Sequence, residues 1–180
     1  MKKALLIPAM IFPYLVVLFF ICYFIFGNLS DQFSQIFLKQ MEWVGVGILL
    51  MLAGAVLCNI IFMVSSRTAD SAEILKAALL LKCIHIPTYL VLFLFGLILG
   101  MMFFITMPLI LFLVFLDYIT LVLSSMVSVY ALARSLRDKT LGTGLFLLGL
   151  ICQFLFCLDV ISLLIFVLQT KNVQKIKLNR

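Results

Sequence analysis

The chain has 180 residues, 66% of them hydrophobic and 11% charged, with a net charge of +6. Globular domains average roughly half apolar and a quarter charged residues, so this composition excludes a water-soluble fold and calls for surface that faces lipid. The 13 Lys and Arg are scattered at the ends of apolar runs, a placement that argues against nucleic acid as a partner and for the bilayer with its anionic headgroups.

The first apolar run covers residues 4–27 behind Lys2 and Lys3. It exceeds the roughly 7–15 residues of a signal-peptide core and no Ala-x-Ala site follows, so it reads as an uncleaved first span, bent in its first half by Pro8 and Pro13. Residues 28–43 read as a polar connection holding Asp31, Lys39 and Glu42, with Trp43 as an interfacial anchor. A second span covers 44–65, thinned on one side by Gly47 and Gly54. Asp70 and Glu73 have capping-box spacing and open a third span, 73–105, divided at Pro87 and carrying Gly96-x-x-x-Gly100. A tight turn is expected at Thr106-Met107-Pro108, then a fourth span over 108–133 and a basic loop from Arg134 to Lys139. The fifth span is read as 141–169, containing Gly149, and the chain closes on a basic tail, 170–180. The fold class is therefore an all-α membrane bundle of about five helices with short loops.

Orientation carries a conflict. With the N-terminus inside, five crossings place eight basic residues on the inner side and five on the outer. That agrees with the positive-inside bias but leaves the basic tail on the wrong face. A fifth segment that turns back would cure this. Its 29 residues are too few for two full spans of about 20 each, so five spans is the expectation.

Two carboxylates stand in apolar surroundings. Asp117 follows Pro108 by nine residues and Asp159 precedes Gln169 by ten, so five crossings put both about 15 Å from one face and level with each other. Intramembrane carboxylates are costly and face a bundle interior, which makes them functional candidates. Thr120, Ser124 and Ser128 share the helical stripe of Asp117, while Gly149, Cys152 and Phe156 share that of Asp159. Facing stripes would form a polar seam able to bind a proton, a cation or a headgroup. Alternatively, the hydroxyls bond their own helix and the two aspartates share a proton. Lys82 and His85 are the natural cationic partners of the aspartates. The same counting, however, puts them near the inner boundary, about 15 Å away, which favours snorkelling over a buried ion pair unless the third span is shifted or strongly tilted. An Asn59–His85 hydrogen bond is the alternative.

No H-E-x-x-H or Gly-x-Ser-x-Gly occurs, and Cys22, Cys58, Cys83, Cys152 and Cys157 lie in apolar stretches without C-x-x-C spacing. No catalytic residue, metal ligand or cofactor is assigned. The favoured expectation is an accessory, regulatory or interaction subunit acting within the bilayer, partnered by a membrane protein or a second copy. A small transporter built on the Asp117–Asp159 seam is the alternative, and an intramembrane aspartyl enzyme the weaker third. The short loops and Met-Lys-Lys start suit a bacterial plasma membrane with the N-terminus cytoplasmic.

Overall fold

The computed structural model describes residues 3–27, 31–100, 103–153, 155 and 158–178, with side chains for 3–19, 21–22, 43, 45–98, 110–111, 113–153, 155 and 158–170. The described residues form an all-helical bundle. A short 3-10 turn, Lys3–Leu6, leads into α1 (Ile7–Gly27), followed by α2 (Asp31–Ser65), α3 (Ser71–Gly100), α4 (Phe103–Arg137), α5 (Thr143–Cys152) and α6 (Leu158–Leu178). Within α2, α3 and α4, three stretches are long and apolar enough to cross a membrane: Gly45–Ser65, Ser71–Ile98 and Leu113–Arg137.

Two expected loops are helical. Of the expected polar connection 28–43, residues 31–43 are helical, because α2 begins at Asp31 and runs unbroken for 35 residues, about 52 Å; 28–30 lie outside the described residues. Trp43 is 77% exposed on that helix. The turn expected at 106–108 also lies within a helix; the reversal falls between Gly100 and Phe103. Proline is tolerated inside long apolar helices because side chains and local adjustment re-satisfy the backbone, so Pro108 and Pro87 are both helical.

Neighbouring helices alternate in direction. Ile7 at the start of α1 lies beside Cys58 near the end of α2. Leu92 of α3 packs on Leu113 of α4, while Lys82, ten residues earlier, meets Ser125. The α3–α4 hairpin is the most extensive helix contact and forms the middle of the bundle. Its core joins Leu81, Leu123, Val127 and Leu132 to Leu6, Phe12 and Phe62 from the N-terminal pair, and to Leu163 and Phe166 of α6.

The expected fifth span is two helices folded against each other. Gly149 on α5 is so close to α6 that a β-carbon there would lie 2.7 Å from the Phe166 ring. Seventeen residues of continuous helix would separate these positions by about 25 Å. The chain therefore enters from the 138–142 loop, breaks after Cys152, and returns along α6 toward the end it came from. At that end Arg134 Nη2 donates to the Ala69 carbonyl at 3.2 Å, joining the α2–α3 and α4–α5 connections. Residue counting misled because two full spans were required of the segment, whereas α5, at 10 residues, reaches only partway. The last residues of the tail, 179–180, lie outside the described residues, as do Phe156 and Cys157.

α4 ends in a Schellman motif. The Lys139 amide donates to Leu136 and the Thr140 amide to Ser135, with Lys139 itself at φ 53°. A left-handed backbone costs a non-glycine residue about 1–2 kcal/mol, so Lys139→Gly should stabilise the bundle by about 1 kcal/mol in detergent unfolding. The returning α6 has a direct topological test. Single cysteines placed at Lys139 and Leu178 in a cysteine-free background should react with an impermeant maleimide from the same side, whereas a fifth crossing would separate them.

Candidate functional site

The polar centre of the bundle is a buried ion pair. Lys82 Nζ donates to Asp159 Oδ2 at 2.6 Å, and the two side chains are 0% and 2% exposed. Lys82 also donates to Ser125 Oγ at 3.2 Å, and Ser125 in turn donates to the Gln153 carbonyl at 2.8 Å. Four segments thus converge: α3 through Lys82, α4 through Ser125, the end of α5 through Gln153, and the first turn of α6 through Asp159.

Local structure explains each position. Asp159 is the second residue of α6, where four amides have no partner within the helix; its Oδ1 accepts from Val160 N at 2.8 Å. The Ser162 hydroxyl donates to the Asp159 carbonyl at 3.0 Å and accepts from Gln153 Nε2 at 3.3 Å, tying both arms of the hairpin together. Lys82 stands 11 residues into α3 and Ser125 12 residues before the end of α4, each about 16–18 Å from the end holding the 66–70 and 138–142 connections. Lys82 does not snorkel. α3 ends at Gly100 rather than running on to a turn at 106–108, so depth counted back from that turn put Lys82 too near the boundary; its position is interior.

The proposed Asp117–Asp159 seam does not form. Asp117 lies eight residues from Ser125 on α4, about 12 Å farther toward the opposite end. The expected common depth measured Asp159 from Gln169 as though α6 ended on the far face, and the hairpin reverses that. Thr120, Ser124 and Ser128 are buried, yet each hydroxyl donates to its own helix, to the carbonyls of Leu116, Leu121 and Ser124 at 3.0, 2.9 and 3.3 Å. The neighbouring Ser125, absent from the expected stripe, is the hydroxyl that reaches the ion pair.

No protein family matches this chain, and no characterised protein or solved structure is significantly similar to it.

Asn59 and His85 do not pair with each other. Asn59 Nδ2 donates to the Leu123 carbonyl at 3.0 Å, linking α2 to α4. His85 Nε2 lies 3.0 Å from the Ala9 carbonyl, and since a carbonyl only accepts, Nε2 carries the proton. This contact has a cause in sequence. Pro13 has no amide to give, so the carbonyl four residues earlier, that of Ala9, loses its helical partner. In the other direction, the Tyr14 hydroxyl donates to the Ile84 carbonyl, next to the Cys83 carbonyl that Pro87, lacking an amide, leaves without its helical donor. α1 and α3 are thus pinned reciprocally at their prolines.

Of the glycines expected to admit close helix approach, Gly149 makes the tight contact with Phe166, and Leu132 of α4 lies 3.3 Å from the same point. Gly47, Gly54 and Gly96 have nothing within 4 Å of a would-be β-carbon. Gly100 is the last residue of α3, and its surroundings lie outside the described residues. Among the described residues no three His, Cys, Asp or Glu side chains gather.

Removing one partner of a buried pair leaves an uncompensated charge, whereas replacing both restores packing. Asp159→Leu or Lys82→Met alone should destabilise the bundle by about 3–5 kcal/mol in mixed-micelle unfolding. The double variant should recover most of that loss. Additive single effects would show that the two side chains are not coupled.

Proposed function

We propose that the protein is a non-catalytic accessory or interaction subunit of a membrane, shaped by its internal ion pair and acting through its apolar outer faces. The observation that carries this reading is the closure of the pair. Lys82 and Asp159 are sealed from the surface and consumed by each other, by Ser125 and by the hairpin backbone, while the neighbouring hydroxyls bond their own helix. A transport route needs polar groups facing a passage, and here those groups face protein. The exterior is different: Leu49, Leu50, Phe93, Ile98, Leu111 and Val114 are each more than 60% or about 60% exposed. Apolar patches on this scale mark contact with lipid or with another protein.

The returning α6 also removes the conflict in charge. Among the described residues, Lys171, Lys175 and Lys177 of α6 join Lys3, Arg67, Lys76, Arg134, Arg137 and Lys139 at one end, nine basic residues against Lys39 at the other. The positive-inside bias supports a cytoplasmic position for that end, and hence for both termini. A bacterial plasma membrane suits the short connections.

One observation favours a second reading, a small carrier. Transporters often place the ends of broken helices near the membrane midplane beside their ion or substrate, and the α5–α6 break lies beside Lys82 and Asp159. Vesicles holding the purified protein and a pH-sensitive dye separate the two. The subunit reading expects proton and potassium flux equal to that of protein-free vesicles, together with stoichiometric co-purification of one membrane protein from native membranes in mild detergent. A flux abolished by Asp159→Asn in protein that still folds would establish the carrier instead.

A further inference from the structure

We propose that Asp117 is the docking point for a transmembrane helix of another protein that carries one lysine or arginine within its apolar span. This deepens the subunit reading above and rests on it. Asp117 sits in a cleft of about 230 Å³ between α3 and α4, walled by Leu92, Phe93, Gly96, Leu97, Ile110 and Val114. Phe93, Leu97 and Val114 are 63%, 55% and 60% exposed, so the cleft opens on the outer surface of the bundle. Within this apolar groove the Asp117 Oδ1 atom is buried and has no hydrogen-bond partner among the described residues.

An ionised carboxylate in hydrocarbon requires a partner, and intramembrane carboxylates usually have one. Inside the described spans the cationic candidates are committed elsewhere: Lys82 to Asp159, and His85 to the Ala9 carbonyl. Lys3, Arg67, Lys76, Arg134 and Arg137 stand at or near the opposite end of the bundle. Lys39 stands 13 residues before Leu52, which lies beside Tyr118, so about 20 Å along α2 from the level of Asp117. Asp117 is 14 residues from the start of α4, about 21 Å along its axis, beyond the reach of a headgroup amine at the surface. A second copy in parallel would bring another Asp117 to this depth, and like charges repel. A foreign helix with a single basic residue supplies what is missing. Gly96 favours its approach, since the space over its Cα is empty and two backbones can come close there.

The protein, donor-labelled in the 138–142 connection, is reconstituted in phosphatidylcholine vesicles. The probes are acceptor-labelled leucine-rich transmembrane peptides of about 21 residues, one with a central lysine and one with leucine in its place. Energy transfer should show the lysine peptide associating on the order of fivefold or more tightly than the leucine peptide. Asp117→Asn should reduce the lysine peptide to the leucine level. Asp117→Lys should reverse the preference toward a peptide with central glutamate, a gain that misfolding cannot mimic. Equal association of both peptides with the unaltered protein would overturn the proposal, as would Asp117-dependent association of labelled copies with one another. Proton flux in the vesicle assay, with peptide discrimination intact, would instead defeat the subunit reading and leave the docking point standing.

Discussion

A lysine ammonium cannot stand alone in an interior as apolar as this one, and much of the bundle's C-terminal half follows from meeting that demand. Lys82 is carried to the centre by α3, whose flanking Leu81 and Ala78 are fully buried, so the helix cannot rotate it outward without exposing them. Its counter-charge must come from a different helix. Asp159 answers by being the second residue of α6, and that helix start must then lie inside the bundle rather than at its surface. A helix beginning there forces α5 to end at Cys152 after 10 residues and sends α6 back to the end where the segment began. The ion pair and the returning hairpin are one constraint seen from two sides.

Breaking a helix inside an apolar region frees backbone groups that water would otherwise satisfy, a cost of several kcal/mol for each group left alone. The same residues that neutralise Lys82 also reduce that cost. Ser125 donates to the Gln153 carbonyl while accepting from Lys82, and Asp159 accepts from a first-turn amide with the oxygen that the lysine does not use. The N-terminal half repeats the principle with prolines. Pro13 frees the Ala9 carbonyl and His85 takes it; Tyr14 donates beside the discontinuity at Pro87. The contacts that join α1 to α3, and α6 to α3 and α4, therefore sit at or beside interruptions of the backbone ladder, whereas the Asn59 bond to the Leu123 carbonyl links α2 to an unbroken stretch of α4.

The helical class, the short connections and the cost of two embedded carboxylates were legible in composition and in the length of apolar runs. The partners were not, because depth was counted from assumed turns. Taking the turn at 106–108 rather than between Gly100 and Phe103 moved Lys82 to a boundary, and treating 141–169 as one crossing measured Asp159 from the wrong end. Two signals pointed to the actual arrangement. The basic tail contradicted the positive-inside bias, and Gln153 interrupted an apolar run where the hairpin turns. The freed Ala9 carbonyl was legible too, as the carbonyl four residues before Pro13, but its partner His85 was not. Ser125 was not, since helical periodicity alone placed Ser124 on the polar stripe and nothing local separates adjacent serines.

Asp117 and Asp159 share a side chain and a leucine on the N-terminal side, yet the fold treats them oppositely. Asp159 is closed off with its own cation; the Asp117 Oδ1 atom lies in a groove on the outer surface with no hydrogen-bond partner among the described residues. If stability alone governed α4, an apolar residue at 117 would serve better, because the position contributes no internal hydrogen bond through that oxygen and lies among Leu113, Val114 and Ile110. The charge that shapes the molecule is thus internal and balanced, and the charge left over is external and unbalanced. A half-buried carboxylate whose Oδ1 has no partner among the described residues costs this chain stability in isolation, so its use lies in an encounter with a cation from outside the chain.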